Sequence, residues 1–275
     1  MQHSLDHAPL GKTSAYVDTY APELLFPVPR QDKRDELGIT GQLPFVGVDI
    51  WNAWEVSWLN SKGKPQVAVA EIRIPATSTH IIESKSFKLY LNSLNQTHFD
   101  GWPQVVKVLE KDLSACADGA VHVVLSPLDR IPAYGKVVDA TEVCIDDLDI
   151  AVDTYMTDAQ LLKADAEGYV EEQVISHLLK SNCPVTGQPD WGSVSIHYAG
   201  RPIQHDSLLR YIISFRQHTE FHEQCVERIF TDVQALIAPE KLTVSARYVR
   251  RGGLDINPYR STENSVFDNV RLLRQ

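Results

Sequence analysis

The segment Glu83-Ser84-Lys85-Ser86-Phe87-Lys88-Leu89-Tyr90, continuing Leu91-Asn92-Ser93-Leu94-Asn95-Gln96-Thr97-His98-Phe99, occurs in altered form a second time in the chain. Phe87, Tyr90, Leu91 and Leu94 stand at i, i+3, i+4 and i+7, which places four apolar side chains on one helix face. Ser84 is positioned to cap that helix. Downstream, Tyr211, Ser214, Phe215, Gln217, Thr219 and Phe221 repeat Tyr90, Ser93, Leu94, Gln96, Thr97 and Phe99 at an offset of 121–122 residues, with His218 inserted. The flanks repeat in the same order. Extended runs Val46 to Trp58 and Gln66 to Ile74 precede the first copy, the latter with Ala68, Ala70, Ile72 and Ile74 at period two. A helix from about Pro103 carries Val106, Leu109 and Leu113, and a strand spans Ala120 to Leu125. In the second half, a strand Gly192 to Tyr198 precedes a helix Ser207 to Phe215. A helix with Val226, Ile229, Phe230, Val233, Leu236 and Ile237 follows, then an alternating strand of Leu242, Val244, Ala246 and Tyr248.

This order, given twice, predicts an α+β fold of two tandem modules, each an antiparallel sheet with paired helices on one face. The expected boundaries are a Pro-, Gly- and charge-rich extended arm at 1–44, a first module at 45–150 and a second at 151–275. Lys136 to Val143 reads as a further extended segment in the first.

The 275 residues, 43% hydrophobic and 23% charged, suit a globular chain of one or two domains. A net charge of −10 argues against a surface built for nucleic-acid phosphates, while leaving room for a local basic pocket. Cys116, Cys144, Cys183 and Cys225 form no CxxC pair, which predicts reduced thiols and a cytoplasmic location. Met1 to Leu10 lacks the basic and apolar regions of a signal peptide, and no run of about 18 apolar residues predicts a membrane span.

The two copies differ in their polar residues. Phe221 is followed by His222-Glu223, whereas Phe99 is followed by Asp100-Gly101; Glu83-Ser84-Lys85 has only Gln204-His205-Asp206 as its counterpart. One site drawing on both halves is therefore expected. In Asn182-Cys183-Pro184-Val185-Thr186-Gly187-Gln188-Pro189-Asp190-Trp191 the prolines and glycine exclude a helix or central strand, placing a thiol and a carboxylate on a stiff edge loop. Cys183 can serve as a nucleophile and His222 can move a proton. Asp190 can act as an acid if burial raises its pKa. Glu223 offers two coplanar oxygens to a purine-like pair of N–H groups. A metal reading competes, because His222 and Cys225 lie i, i+3 and Cys183 could complete a Cys2His zinc set. Lys85, Lys88, Arg250 and Arg251-Gly252-Gly253 are the anion-binding candidates. No GxGxxG follows a strand, so a Rossmann nicotinamide site is not expected. A non-catalytic purine-binding module would need neither the thiol nor the acid.

With these motifs in hand, the whole chain resembles the NADPH-dependent 7-cyano-7-deazaguanine reductases, the nitrile reductases of queuosine biosynthesis. The resemblance rests on Glu83 to Tyr90, Cys183-Pro184 with Asp190, Phe221-His222-Glu223 and Arg250-Arg251-Gly252-Gly253-Leu254-Asp255. It implies the long form with two tunnelling-fold modules, assembled as a homodimer, acting on a small deazapurine with no nucleic-acid or membrane partner. It implies that Cys183 forms a covalent thioimide, that Asp190 supplies the proton, and that two NADPH molecules are used per turnover. Ile82, Glu83, Ser84, His222 and Glu223 would contact substrate, and Ser84, Lys85, Arg251 and Gly252 would serve NADPH. No metal is expected. The related cyclohydrolases, which use Cys and His on zinc with a purine or pterin, are the alternative the resemblance leaves.

Overall fold

The structure, a computed structural model, describes residues 16–264 and 266–275. Residues 1–15 of the expected arm, and with them the reading of Met1 to Leu10, lie outside the described residues. The rest of the arm is not purely extended: it carries β1 (Pro27–Pro29) and a short helix α1 (Gln31–Glu36). There follow β2 (Val46–Leu59), β3 (Pro65–Pro75), β4 (His80–Ile82), α2 (Ser84–Ser93), α3 (Trp102–Ala117) and β5 (His122–Ser126). In a long connection the only strand is the two-residue β6 (Val143–Cys144), so the extended segment expected over 136–143 is largely irregular. Then come β7 (Val170–Ser176), β8 (Lys180–Asn182), β9 (Pro189–Gly200), α4 (His205–Ser214), α5 (His222–Ile237), β10 (Lys241–Tyr248) and β11 (Leu254–Ser261).

One sheet runs through both modules in the order β5-β3-β2-β11-β10-β9-β7-β6, with β8 alongside β9. Its ladders are antiparallel apart from β6 on β7. The modules meet where β11 pairs with β2, from Leu254 opposite Ala53 to Ser261 opposite Val46. Val244, Arg260 and Gly47 are aligned across the sheet, so the helix-covered faces of the two modules are one face. Two apolar cores form there. Trp51, Ile72, Phe87, Tyr90 and Leu109 belong to the first; Ile196, Tyr211, Phe230 and Val244 belong to the second.

The duplication extends to individual bonds. Tyr90 donates its hydroxyl to Asp112 at 2.7 Å, and Tyr211 to Asp232 at 2.6 Å. Ser93 Oγ donates to the Tyr90 carbonyl and Ser214 Oγ to the Tyr211 carbonyl, both at 2.6 Å. Helices α3 and α5 both end on a left-handed residue, Asp118 (φ 50°) and Ala238 (φ 41°).

Three local expectations change. Glu83, not Ser84, caps α2, accepting from the Lys85 and Ser86 amides at 2.8 and 2.7 Å. Val105 is fully buried in α3 and Val106 only partly, because the stripe turns one residue earlier. The Asn182 to Trp191 stretch is a hairpin turn and not one long loop. β9 begins at Pro189, a first-strand position that tolerates a missing N–H, and Asp190 lies within β9 opposite Ser181. Among the described residues no helix is long and apolar enough to cross a membrane.

Candidate active site

A cavity of about 300 Å³ opens on the helix side of the sheet, where β11 joins β2. Different elements supply its walls. The β8–β9 turn gives Cys183, Thr186 and Gln188, and β9 gives Asp190. The first turn of α5 contributes His222 and Glu223. The end of β4 and the start of α2 contribute Ile82, Ser84 and Lys85, and the β10–β11 turn contributes Arg251 and Gly252. Trp51, Leu254 and Ile256 make an apolar floor. Of the residues that the resemblance assigns to catalysis, substrate or cofactor, all but Glu83 line this cavity. Glu83 is fully buried, and its two oxygens are engaged by the α2 amides, so it fixes the Ser84-Lys85 backbone from behind.

Cys183 is largely buried beside Phe26 and Val185. Its N–H donates to the Gln188 carbonyl at 2.9 Å and its carbonyl accepts from Gly187 at 3.0 Å, closing the turn. Gly187 has a φ of +65°, the region where glycine is favoured. Across the cavity, Asp190 pairs through Oδ1 with Arg251 Nη1, and through Oδ2 with His222 Nε2 at 3.4 Å. Burial alone would lift its pKa. The hydrogen bond and charge of His222, with the Arg251 guanidinium, outweigh burial and hold the carboxyl below its ordinary value. Burial therefore does not raise the pKa of Asp190 on balance, and in this arrangement the carboxyl is ionised and accepts. The His222 ring lies flat on Tyr248, centroids 3.8 Å apart at 6°, which fixes the direction of Nε2.

Glu223 is the opposite case. Burial, joined by the charge of Asp49, pushes its carboxyl up to about 7, although His222 and Arg30 pull the other way. One turn along α5, Glu227 enters a buried ion network. It accepts from Arg34 at 2.7 and 2.9 Å and from Arg260 at 2.8 and 3.0 Å. Asp49 in turn meets Arg260 at 2.8 Å and Arg30 at 2.5 Å. Three guanidiniums thus face two carboxylates directly behind Glu223.

Lys85, Lys88 and Arg251 make one end of the cavity basic. Lys88 reaches Glu55 at 2.7 Å and the Gly252 carbonyl. Gly252 has a φ of +58°, the left-handed region that favours glycine, and a Cβ there would stand 2.9 Å from Lys88 Cδ, which would have to move aside. Arg250, an anion candidate by sequence, instead lies over Trp54 at 4.1 Å and does not line the cavity. The zinc set does not assemble. Cys225 is sealed in the second core, where burial raises its thiol pKa, and Cys183, His222 and Cys225 form no three-ligand group among the described residues. Sequence reasoning missed Trp51, Leu254 and Ile256, which have the period of any core strand. Gln188 and Thr186 were reachable, since they share the turn with Cys183.

A family model described as nitrile reductase, 7-cyano-7-deazaguanine-reductase N-term, matches residues 16–125. A second, described as QueF-like protein, matches residues 189–266. Among solved structures, the apo crystal structure of the archaeosine synthase QueF-Like aligns with a TM-score of 0.31 and 18% identity, over 38% of this chain and 100% of that one. With one family match in each half, the chain belongs to the 7-cyano-7-deazaguanine nitrile reductases, in their long two-module form.

Proposed function

We propose that this nitrile reductase converts 7-cyano-7-deazaguanine to 7-aminomethyl-7-deazaguanine through a covalent bond to Cys183, with NADPH as the hydride source. The observation that carries the reading is the convergence of Cys183, Asp190, His222 and Glu223 from one module and Lys85 from the other on one cavity. The ionised Glu223 accepts the two N–H donors of the purine edge. The ionised Asp190 takes the thiol proton as sulfur adds to the nitrile carbon, then returns it to the nitrile nitrogen, giving a thioimide. Covalent addition turns a weak electrophile into a reactive C=N group and splits one difficult step into easier ones. NADPH, bound one molecule at a time, supplies two hydrides. After the first, the C–S bond breaks, leaving an imine and returning the thiolate; the second hydride adds to the imine carbon, and two protons drawn from solvent, one to nitrogen and one to the thiolate, complete the primary amine and restore the thiol. The residues fit such a polyanionic cofactor: Lys85, Lys88 and Arg251 supply charge, and Gly252 lets backbone come close. An anion that draws Arg251 away from Asp190 removes one of the two partners holding that carboxyl low. Cofactor binding and the ability of Asp190 to carry a proton are linked in this reading.

The homodimer is also a proposal. β5 is an end strand of the sheet, with Val124 exposed, and so offers a second copy an unpaired edge.

The test is intact mass after incubation with 7-cyano-7-deazaguanine in the absence of NADPH. The expected result is a gain of one substrate mass, mapped to Cys183 and absent from Cys183→Ala. A wild-type protein that binds substrate yet never gains mass overturns the covalent mechanism.

A further inference from the structure

A second group of coordinating side chains stands at the far edge of the sheet. Cys144 closes β6, Asp146 lies two residues on, and His177 directly follows β7. The parallel pairing of β6 on β7 places Cys144 opposite Ile175, and the Ile145 N–H donates to the Ile175 carbonyl at 3.1 Å. One ligand atom each from the thiol, the carboxylate and the imidazole then lie within 4.8 Å of one another. Tetrahedral ligands at about 2.0–2.3 Å from zinc stand roughly 3.3–3.8 Å apart. The remaining gap is within reach of a side-chain rotation, and Cys144 is exposed and free of packing that would oppose one.

Two of the three ligands are already oriented by neighbours. Asp146 Oδ1 accepts from Ser176 Oγ at 2.6 Å and Oδ2 from the His177 N–H at 2.8 Å, leaving each oxygen a further lone pair. His177 Nδ1 meets Ser193 Oγ at 2.7 Å, which leaves Nε2 as the nitrogen available to a ligand. Such outer bonds are what hold the side chains that ligate a metal in their orientation. A sulfur, a nitrogen and an oxygen make a borderline-soft set, which suits zinc and not magnesium or calcium.

We propose that Cys144, Asp146 and His177 bind one divalent cation of the zinc class, with a fourth position open to solvent, and that this ion clasps the connection between the modules to the edge of the second. Binding displaces the thiol proton into solvent. The connection has a use for a clasp. Between β5 and β7, the regular structure is confined to β6 and two single 3-10 turns, Ala133–Gly135 and Ala159–Leu161. None of the three ligands lines the cavity, so the clasp takes no part in nitrile reduction.

The probe is cobalt(II), followed by competition with zinc, added to the full chain after chelator treatment. A thiolate–cobalt bond gives a near-ultraviolet charge-transfer band that carboxylate and imidazole do not. One equivalent per chain should produce the band in wild type and in Cys183→Ala, and not in Cys144→Ser. Zinc should abolish it, His177→Ala should weaken zinc at least tenfold, and zinc should raise the melting temperature of wild type but not of Cys144→Ser. No band, or a band that survives Cys144→Ser, overturns the proposal. A band lost in Cys183→Ala instead places the metal in the cavity, which overturns both this clasp and the metal-free reductase reading. Loss of the adduct on Cys183 with the Cys144 band intact fails the reductase mechanism alone.

Discussion

Glu223 and Asp190 are both buried carboxyls, and their surroundings push them in opposite directions. Asp190 has a guanidinium and an imidazole in contact. Glu223 faces a like charge in Asp49, and the opposing pull of His222 and Arg30 does not offset that charge and burial. The consequence can be measured at neutral pH. A carboxyl accepts two N–H bonds only when ionised, so purine binding must release the proton that a pKa of about 7 keeps on Glu223 in the free protein. Affinity for 7-cyano-7-deazaguanine should therefore rise with pH and level off above about 7, with roughly a tenfold loss between pH 8 and pH 6 for one proton. Glu223→Gln should abolish that dependence and weaken binding at pH 8 by about 1–3 kcal/mol. Titrations at three pH values check both; a wild-type affinity flat from pH 6 to 8 contradicts the assignment. At this scale the sequence was informative because function broke the repeat. His222-Glu223 and Cys183 have no counterpart in the first copy, whereas the Arg251–Asp190 pair, 61 positions apart, left no local trace.

Among the elements, helices α2 and α5 were legible because their apolar side chains recur at helical spacing, although Glu223 and Glu227 of α5 are buried with them. β11 is harder to read: Leu254 and Ile256 alternate with Asp255 and Asn257, but Pro258 and Arg260 break the apolar face, and the whole strand is buried. Its polar groups are satisfied from both faces. Asn52 and Trp54 donate to Asp255, Gln275 to Asn257, and Arg260 to the ion network. Pro258 is tolerated because the ladder with β10 reaches only to Tyr259. The repeat also left a strain that can be relieved. Ala238 is exposed at the end of α5 with a φ of 41°, a region that costs a residue with a Cβ about 1–2 kcal/mol. Ala238→Gly should stabilise the protein by about 0.5–1 kcal/mol, after the greater unfolded-state entropy of glycine is counted. Asp118→Gly, at the equivalent end of α3, should gain less, because it loses the 2.7 Å bond from Thr79 Oγ1. Urea midpoints of the two variants decide it; equal shifts would show that the Thr79 bond contributes nothing.

For the whole molecule, the pairing of β11 with β2 makes two modules into one site. It brings the start of α2, a first-module helix, to the start of α5, a second-module helix, and the ion network locks the arm (Arg30, Arg34), the first module (Asp49) and the second (Glu227, Arg260) behind them. The two helix starts then hold different ligands in the proposed reaction, and the division of labour can be tested by titration. Lys85 carries a compact charge on a flexible stem, which attracts a phosphate as a point charge. Lys85→Ala should weaken NADPH binding several-fold at low salt. The loss should shrink as salt rises, since near 1 M the screening length falls to about 3 Å. Purine affinity in that variant should remain within twofold of wild type. Glu223→Ala should do the reverse, leaving buried N–H donors of the purine unpaired while NADPH affinity holds. Both ligands are measured against both variants, at two salt concentrations. If Lys85→Ala leaves NADPH untouched, the basic end of the cavity belongs to Lys88 and Arg251 alone, and the first module contributes shape to the site but not the charge of Lys85. If either variant weakens both ligands equally, the cavity is one undivided pocket and the two copies have not split their functions.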